Sequence, residues 1–568
     1  MRHSLAVAAL AFALYLPTLG NGFVAYDDPV YLTENPHVLG GLTLGNLRWS
    51  LTAVDGGSWH PLTWWSHQLA VTLFGTRPWG HHLVSALLHA AAAGTLCAVL
   101  SAMTGAGGAA FLAAALFAVH PLHVESVAWV AERKDVLAAL FWMLAAGAWV
   151  SFARRPCGRR YGAALALFAL GLAAKPILVA LPLVLLVVDC WPLGRLRAVP
   201  GGFPALVREK LPFLLLALAA GVATLLTQPV AEGHAPLAAA PAGFIPAFVA
   251  IRLENAMLST ALYLSQTLWP ARLAPFYPHP THAIARSELL LAGLLLAGAT
   301  AAAFRLRRRR PWLGAGWAWY LIALLPVIGI VQVGDQGRAD RYTYLPLVGI
   351  FIAAAWSARE LARRGRRTAG AVASLAAAAL VLLALASVRQ MRYWRDTVTL
   401  FTRTLAVTTG NFVAHGVLGE ELRRGGQLAQ AELHFREALR FAPLSPRAHN
   451  RLGLALHDQG RLQEAVASYR EAVRIKPDYD DAWNNLGNGL VALDRPSEGE
   501  AALRRSLALS PGRAEIWFNL GIALALQGRF DEAAENYRRA LALKPDLEPA
   551  RTRLDQLLRL GGGSPGAR

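Results

Sequence analysis

Cysteine and charged side chains are scarce in this chain of 568 residues. The three cysteines, Cys97, Cys157 and Cys190, lie in a predicted membrane span or next to basic clusters, so a framework of disulfide bonds is excluded. Charged residues make up 16% of the chain and hydrophobic residues 55%. A water-soluble core cannot bury that much apolar surface, so a purely soluble protein is also excluded.

Basic residues outnumber acidic ones, and the formal net charge is +19. They form no patch interleaved with aromatic residues, which argues against nucleic acid as a partner. Arginines instead occupy four short clusters between apolar stretches, where the positive-inside rule predicts a cytoplasmic position. The clusters are Arg154 to Arg160, Arg195 to Lys210, Arg305 to Arg310 and Arg359 to Arg367.

Apolar stretches of roughly 17 to 22 residues recur up to about residue 388, each long enough to cross a membrane. With the basic clusters inside, they predict about eleven transmembrane helices that start inside and end outside. We expect them at 3–20, 82–102, 107–122, 136–152, 161–174, 176–190, 211–227, 288–304, 312–331, 346–358 and 369–388. Segment 249–269 carries Arg252 and Glu254 and is ambiguous, and a twelfth crossing there would place the C-terminus inside.

From about residue 414 the sequence repeats every 34 residues, the period of a tetratricopeptide unit. Leu418-Gly419, Leu452-Gly453, Leu486-Gly487 and Leu520-Gly521 share this spacing, as do Pro443, Pro477, Pro511 and Pro545. Small residues let the two helices of a unit approach closely, and the proline ends the second helix. We therefore predict an all-α protein. It has a polytopic membrane bundle in 1–395, a linker in 396–413, a solenoid of four repeats in 414–549, and a capping helix with a disordered tail in 550–568.

Stacked repeats form a concave groove, and Asn485 and Asn519 occupy equivalent positions on it, with Asn484 and Asn488 nearby. An asparagine amide can pair with the N–H and the C=O of a bound peptide. The pattern resembles the asparagine ladder of the repeats in the cytosolic O-GlcNAc transferase. We therefore expect these four residues to bind a polypeptide acceptor, and the alternative is a set of ordinary polar residues on a solvated face.

The predicted external side receives the long loops 21–81, 120–135, 228–287 and 332–345. The first opens with Asp27 and Asp28, and paired carboxylates at a membrane surface are costly unless they are hydrated, paired or used. One of them could act as a general base toward a hydroxyl. The alternatives are a loop cap or a pair of oxygen ligands for a divalent cation.

The second external loop places His120, His123 and Glu125 between two apolar spans. This density of ionisable groups predicts a polar site. A hydrogen-bonded loop is favoured over a metal site, because the spacing is not a known zinc pattern. Arg133, Lys134 and Arg341 are cations on the same predicted face and suit a phosphate leaving group. Alternatively, these cations form salt bridges or bind anionic head groups.

Several motifs resemble the transmembrane and tetratricopeptide repeat family of O-mannosyltransferase-like proteins, in the GT-C glycosyltransferase superfamily. Besides the terminal repeats, they are Tyr26-Asp27-Asp28, the run from His120 to Asp135, Phe276-Tyr277-Pro278-His279-Pro280, and the run from Ala339 to Pro346. The resemblance implies inverting transfer of a sugar, typically mannose, from a polyprenyl-phosphate carrier to protein serine or threonine on the outer side.

In that superfamily an acidic residue of the first external loop is the catalytic base, which implies Asp27 or Asp28 here. Arg133, Lys134 and Arg341 are then expected at the lipid phosphate, with His120, His123 and Glu125 in the donor site. No metal or other cofactor is required by the scheme. The composition favours a bacterial inner membrane, an undecaprenyl carrier and repeats in the periplasm.

Two other functions are compatible with parts of the pattern. The first is a catalytically inactive, membrane-anchored scaffold whose repeats recruit periplasmic partners, although this many spans are excessive for an anchor. The second is a flippase or transporter, which would place ionisable residues at mid-membrane. Few such residues are seen, since Lys175 and Asp189 lie near predicted span ends.

Overall fold

The structure is a computed structural model and describes residues 1–227, 244–279, 284–330 and 336–561. The chain divides into two compact units, Met1–Thr409 and Gly410–Arg568. Within the described residues both units are helical, and the one sheet there pairs Tyr277–Pro278 with Gln336–Arg338 antiparallel. The predicted all-α class, a set of apolar helices followed by helical repeats, is confirmed.

The first unit alternates long apolar helices with short ones. The long helices are rich in alanine and leucine, which favour helix formation. The α-helices are Arg2–Tyr15, Pro36–Leu39, Leu44–Thr52, Pro61–Phe74, Pro78–Thr104, Gly107–Val119, Val124–Ala128, Arg133–Arg154, Gly158–Ala174, Leu181–Cys190, Arg195–Ala198, Gly202–Thr227, Phe244–Leu268, Arg286–Leu306, Pro311–Leu324, Leu347–Ala362, Arg366–Met391 and Thr397–Val407. Short helical turns at Leu16–Gly20, Pro29–Thr33, Asp55–Gly57, Pro121–His123, Val130–Glu132, Pro176–Ala180, Asp340–Thr343 and Arg392–Trp394 connect or extend them.

Six helices among the described residues are long and apolar enough to cross a membrane: Arg2–Gly20, Pro78–Thr104, Val130–Arg154, Gly202–Thr227, Arg286–Leu306 and Arg366–Trp394. The pair Gly107–Val119 and Pro121–Ala128, bent by 55°, is a seventh if it forms one broken span. The other four predicted spans coincide with helices of 10 to 17 residues. Among the described residues, the predicted count of eleven therefore exceeds the number of helices of at least 18 residues, because prolines and polar residues interrupt the apolar stretches. Residue 331, the predicted end of one span, lies outside the described residues.

Two of these interruptions place polar residues inside the bundle. Pro121 lacks a backbone N–H, and the residue before it, His120, is extended at φ −74° and ψ 131°, which ends the helix Gly107–Val119. Pro176 has the same effect on Lys175, which is extended at φ −158° and ψ 134°. The chain thus leaves its helical path at both places, and Lys175 reaches the side chain of Asp135.

The second unit consists of consecutive helix pairs, as the 34-residue period predicts. In each repeat the glycine after leucine lies against a large side chain of the second helix. A Cβ at Gly419 would come within 2.7 Å of Phe435, and one at Gly453 within 2.5 Å of Tyr469. The helices are Phe412–Arg424, Leu428–Phe441, Pro446–Asp458, Leu462–Ile475, Asp480–Ala492, Pro496–Leu509, Ala514–Leu526, Phe530–Leu543 and the capping helix Glu548–Gly561. The predicted tail from residue 562 onward lies outside the described residues.

The stretch 396–413, predicted as a linker, contains the helix Thr397–Val407, which we call the post-span helix. Asp396 caps it by accepting the N–H of Thr399 at 2.8 Å. Leu400 and Phe401 are buried, and the helix belongs to the first compact unit. The linker prediction is corrected accordingly, because apolar residues recurring at helical spacing give this stretch a buried face.

Candidate active site

Asp28 ties the loop that follows the first long apolar helix to the start of the helix that carries Lys134. It is 1% exposed, and each carboxylate oxygen accepts a backbone N–H. Oδ2 accepts from Val24 at 2.7 Å, and Oδ1 accepts from Ala131 at 2.8 Å. Burial raises the pKa of Asp28 to about 7, because the charged form loses its hydration there. With both oxygens engaged, Asp28 shapes the loop.

Asp27 precedes it on the same turn and is half-buried. Its backbone carbonyl accepts the N–H of Tyr31 at 3.0 Å, across the start of the helical turn Pro29–Thr33. Its carboxylate is near enough to Lys134 and Tyr31 to interact electrostatically with both. Asp27 is therefore the more accessible of the two predicted catalytic residues, and it lies beside buried charges.

Three carboxylates and three cations form a buried group that we call the ion cluster: Glu125, Glu132, Lys134, Asp135, Lys175 and Arg341. Glu132 lies at its centre. Its Oε1 is 3.2 Å from Lys134 Nζ and 3.3 Å from Arg341 Nε, and its Oε2 is 3.1 Å from Lys175 Nζ. An isolated buried charge is strongly unfavourable, and here each charged side chain has a partner of opposite sign.

The two outer carboxylates of the ion cluster each accept two bonds. Glu125 accepts from the guanidinium of Arg341 at 2.5 Å and from its backbone N–H at 3.0 Å. Asp135 accepts from Lys175 at 2.5 Å and from the hydroxyl of Ser126 at 2.9 Å. These bonds join three separate parts of the chain, near residues 125–135, 175 and 341.

The most accessible members of the ion cluster are its lysines. The side chains of Lys134 and Lys175 are 12% and 17% exposed, against 3% for Glu132. Lys134 donates to the hydroxyl of Tyr31 at 3.1 Å, and its Nζ lies 4.3 Å from the centre of the Tyr31 ring. Tyr31 in turn stacks on Trp64 at 4.9 Å. This aromatic support fixes the position of the Lys134 charge.

Arg133 points away from the ion cluster. Its side chain is fully buried and donates to the carbonyls of Ser66 at 3.1 Å and His81 at 3.0 Å. It thereby ties the helix Pro61–Phe74 to the helix Pro78–Thr104. Adjacent residues of a helix project about 100° apart, and here this separates the side chain of Arg133 from that of Lys134. Of this predicted pair of phosphate ligands, only Lys134 belongs to the ion cluster.

The predicted histidines stabilise the broken helix. His120 Nε2 is 3.0 Å from the carbonyl of Thr267, and its Nδ1 accepts the N–H of Leu122 at 3.3 Å. His123 Nδ1 is 2.8 Å from the carbonyl of Phe117. In the part of the chain that the structure describes, no three His, Cys, Asp or Glu side chains are grouped to hold a metal. These contacts match the hydrogen-bonded loop, and neither ring contacts the ion cluster.

A short sheet aligns the segment from Gln336 to Arg341 with the ion cluster. Tyr277 pairs with Arg338, and the Tyr277 hydroxyl donates to Asp340 at 2.9 Å. Burial raises the pKa of Asp340. Arg341 follows directly and enters the cluster. Pro280, the last residue of one matching motif, lies outside the described residues.

Lys175 is a member of the site that the sequence analysis did not select. A lysine directly before a proline within an apolar stretch is a detectable signal, because ionisable residues near membrane depth usually have a function or a partner. Its partners could not be read from the sequence, since Glu132 and Asp135 lie some forty positions away.

A second group of buried charges lies near the other end of the helix Arg133–Arg154. We call Trp149, Asp189, Arg195, Glu209 and Lys210 the Trp149 cluster. Asp189 accepts from Trp149 Nε1 at 2.9 Å, from Arg195 at 3.1 Å and from Lys210. Arg195 donates to both oxygens of Glu209, at 2.8 and 2.9 Å. Lys210 is fully buried, with its Nζ 4.0 Å from the centre of the Trp149 ring.

The predicted acceptor-binding asparagines pair with each other across repeats. Asn485 Nδ2 donates to Asn450 at 3.0 Å, and Asn519 Nδ2 donates to Asn484 at 2.9 Å. Asn484 is 9% exposed, whereas Asn485, Asn488 and Asn519 are half-buried. The pairs therefore align the amides along the first helices of successive repeats, and Asn484 itself is largely covered.

Comparison with known families defines the class of protein. Residues 58–220 match the family described as dolichyl-phosphate-mannose-protein mannosyltransferase. This segment contains Lys134 and Lys175. Residues 417–480 and 484–548 match the tetratricopeptide repeat. The chain thus combines a segment similar to this mannosyltransferase family with a terminal repeat array.

Individual relatives sharpen this assignment. The chain is 37% identical over 174 residues to protein O-mannosyl-transferase Tmtc1 of Drosophila melanogaster, which covers 29% of this chain and 20% of the relative. It is 36% identical over 144 residues to TMTC2 of Homo sapiens, which covers 24% and 17%. The chain matches about a fifth or less of the length of these relatives. The predicted resemblance to the transmembrane and tetratricopeptide repeat O-mannosyltransferase family is confirmed.

Solved structures resemble part of this chain. The crystal structure of MamA protein has 22% sequence identity and a TM-score of 0.25, and the match covers 27% of this chain and 82% of that one. A thermophilic tetratricopeptide protein of Thermus thermophilus has 24% identity and a TM-score of 0.26, covering 32% and 95%.

Proposed function

We propose that this chain is a membrane glycosyltransferase that moves a sugar, mannose, from a polyprenyl-phosphate carrier to serine or threonine of a protein. The observation that carries the proposal is the half-buried Asp27 beside an ion cluster whose most accessible members are Lys134 and Lys175. The mannosyltransferase match of residues 58–220 and the O-mannosyl-transferase relatives support it.

In the proposed reaction Asp27 accepts the proton of the acceptor hydroxyl as that oxygen attacks the anomeric carbon. The new bond forms between this oxygen and the anomeric carbon, and the bond from the same carbon to the phosphate oxygen breaks. Its electron pair leaves with the polyprenyl phosphate. Attack opposite to the leaving group inverts the configuration, and Asp27 later releases the proton to water.

The lysines of the ion cluster are suited to the leaving phosphate because an ammonium group has three N–H donors. Lys134 uses donors toward Glu132 and Tyr31, and Lys175 uses donors toward Glu132 and Asp135. Each lysine therefore has a further donor. Fixed cations stabilise charge that develops in the transition state without having to reorganise first.

The scheme uses neither a nucleotide nor a resident metal. Binding of a divalent cation is the alternative role for Asp27 and Asp28. Asp28 offers poor support for it, because both of its oxygens already accept backbone N–H groups from Val24 and Ala131. A bound cation would have to displace those bonds or share the oxygens.

We further propose that the repeat groove binds the polypeptide acceptor through Asn485, Asn488 and Asn519. The half-buried amides of these residues lie on first helices of the repeats, and two of them are oriented by inter-repeat pairs. An amide held in one orientation loses less entropy when it binds a peptide group.

The positive-inside rule supports an external site, because the basic clusters flank the predicted cytoplasmic ends. We propose that the protein resides in a bacterial inner membrane with its repeats in the periplasm, and that its carrier is undecaprenyl phosphate. The composition and the basic clusters are the support for this placement.

The experiment uses the full chain in lipid vesicles with polyprenyl-phosphate mannose carrying a radiolabel in the sugar, and with labelled nucleotide-mannose in parallel. We expect label on serine or threonine of an added protein from the lipid donor alone. Asp27→Asn should lower the transfer at least about hundredfold. Asp55→Asn, which changes an exposed carboxylate of the same external segment, should leave it unchanged.

Absence of transfer from mannose and from every other polyprenyl-phosphate sugar would contradict the proposal. The membrane-anchored scaffold would then be the better explanation. If Asp27→Asn and Asp55→Asn transfer sugar equally well, the protein is still a glycosyltransferase, but Asp27 is not its catalytic base.

A further inference from the structure

The post-span helix Thr397–Val407 contacts the loop that carries Asp27 and Asp28, although it lies more than 370 residues later in the chain. The hydroxyl of Thr397 accepts the N–H of Ala25 at 2.9 Å. The carbonyl of Arg395 accepts the N–H of Gly22, also at 2.9 Å. Gly22 and Ala25, shortly before Asp27 and Asp28, are thus hydrogen-bonded to the segment that follows the helix Arg366–Met391.

Aromatic contacts reinforce the same junction. Tyr26 stacks on Trp129 at 5.4 Å with an interplanar angle of 18°, and its edge meets Phe401 of the post-span helix at 5.7 Å. The ring of Trp129 also lies 5.7 Å from the ring of Trp394, and the guanidinium of Arg341 is 5.5 Å from the centre of the Trp129 ring. Tyr26, the residue before Asp27, is therefore packed between the post-span helix and the edge of the ion cluster.

We propose that Thr397 and Phe401 are positioning residues for Asp27. The loop 22–28 is held from one side by Asp28, through Ala131, and from the other by the post-span helix. Removal of either support would let the Asp27 carboxylate shift relative to Lys134. A displacement of about 1 Å between reacting groups can lower a rate about hundredfold. The consequence for activity rests on the proposed function, whereas the consequence for the loop does not.

The post-span helix contains a matched control for Thr397. Thr404 is also buried, but its hydroxyl donates to the carbonyl of Leu400 within the same helix, at 2.8 Å. Replacing either threonine by valine keeps the branched shape and removes one hydroxyl. If the helix served only to fill space, Thr397→Val and Thr404→Val would have equal effects. A positioning role predicts that only Thr397→Val affects the loop.

The test uses the full chain in lipid vesicles and compares wild type, Thr397→Val, Thr397→Ser and Thr404→Val. Amide hydrogen exchange of residues 22–28 is measured first. We expect about fivefold faster exchange in Thr397→Val, the effect of one lost hydrogen bond. The serine variant retains the accepting hydroxyl and should match wild type, as should Thr404→Val.

Transfer kinetics are the second readout. Thr397→Val should lower kcat about tenfold with the KM for the lipid donor unchanged. Thr397→Ser should have the kcat of wild type. Equal exchange in the two valine variants would overturn the proposal, and so would faster exchange with unchanged kcat in an active protein. If wild-type protein transfers no sugar, the proposed function fails and the exchange comparison alone decides whether the post-span helix positions the loop.

Discussion

Two groups of buried charges lie at opposite ends of the helix Arg133–Arg154, whose 22 residues span about 33 Å. They differ in access. In the ion cluster the side chains of Lys134 and Lys175 are 12% and 17% exposed, and Lys134 interacts electrostatically with Asp27. In the Trp149 cluster Lys210 is fully buried beneath the Trp149 ring.

This difference separates two roles for buried charge in one membrane protein. The Trp149 cluster joins the helices Leu181–Cys190 and Gly202–Thr227 to Trp149, and its lysine has no exposed surface. It is built to hold helices together. The ion cluster has the same mixture of signs, but its accessible lysines can meet a further anion. We therefore expect substitutions in the Trp149 cluster to lower stability, and substitutions at Lys134 to lower activity.

The largest expected effect on stability comes from Lys210→Met. Removing a buried cation leaves Asp189 with less compensation, which should cost about 3 to 5 kcal/mol of folding free energy. Thermal unfolding of the purified protein in detergent measures it. The fraction that remains folded should transfer sugar at the wild-type rate. A specific loss of transfer at unchanged stability would remove the distinction between the two clusters.

Lys134→Gln should have the complementary effect. Glu132 keeps two other cations, Lys175 and Arg341, so the melting temperature should change little. Loss of one fixed charge at the proposed position of the leaving phosphate should reduce the transfer rate about hundredfold. Single-turnover kinetics with saturating lipid donor measure it. A variant that unfolds like Lys210→Met would show that Lys134 is mainly structural.

The pH dependence of stability sharpens the comparison at Asp28. Its pKa is about 7 in the folded protein and 3.8 in the reference state, so the folded state binds more protons between these values. The contribution of Asp28 to stability is present below about pH 4 and is lost as pH rises to about 7, by about 1 kcal/mol per pH unit.

Melting curves from pH 4 to 8 check this. The stability difference between wild type and Asp28→Asn should shrink up to about pH 7 and stay constant above it, while Asp55→Asn should show no such trend. A difference that grows with pH over this range would contradict the buried, proton-binding state of Asp28.

The smallest effect is expected in the repeats. Asn519→Ala should raise the KM for the protein acceptor about fivefold, the effect of one lost hydrogen bond, and leave the KM for the lipid donor unchanged. Asn536→Ala is the control, because Asn536 lies on the second helix of the same repeat and bonds to the Glu532 carbonyl. Equal effects of the two substitutions would favour a general structural role.

The repeats were predictable almost position by position, because each signal is local. The glycine at 453 and the tyrosine at 469 are separated by 16 residues, and their contact recurs in other repeats. The spans were predictable as helices, but the lengths of these helices were not. Pro121 and Pro176 shorten helices in a way that hydropathy windows average out.

The candidate site was only partly predictable. Residue type and loop position selected Asp27, Lys134, Glu125 and Arg341. Composition could not show that Arg133 points away from the ion cluster, that Lys175 completes this cluster, or that Thr397 holds the loop. These facts depend on contacts between residues 40 to 372 positions apart, which no local pattern records.

The central claim is that Asp27 and the ion cluster serve one transfer step. The most direct measurement is a double-mutant cycle of Asp27→Asn and Lys134→Gln under single-turnover conditions with equal amounts of folded protein. Groups that act as a unit are strongly non-additive, so the double variant should be within about tenfold of Asp27→Asn alone. If the reduction of the transfer rate in the double variant equals the product of the two single reductions, the claim is contradicted. The two residues would then act independently.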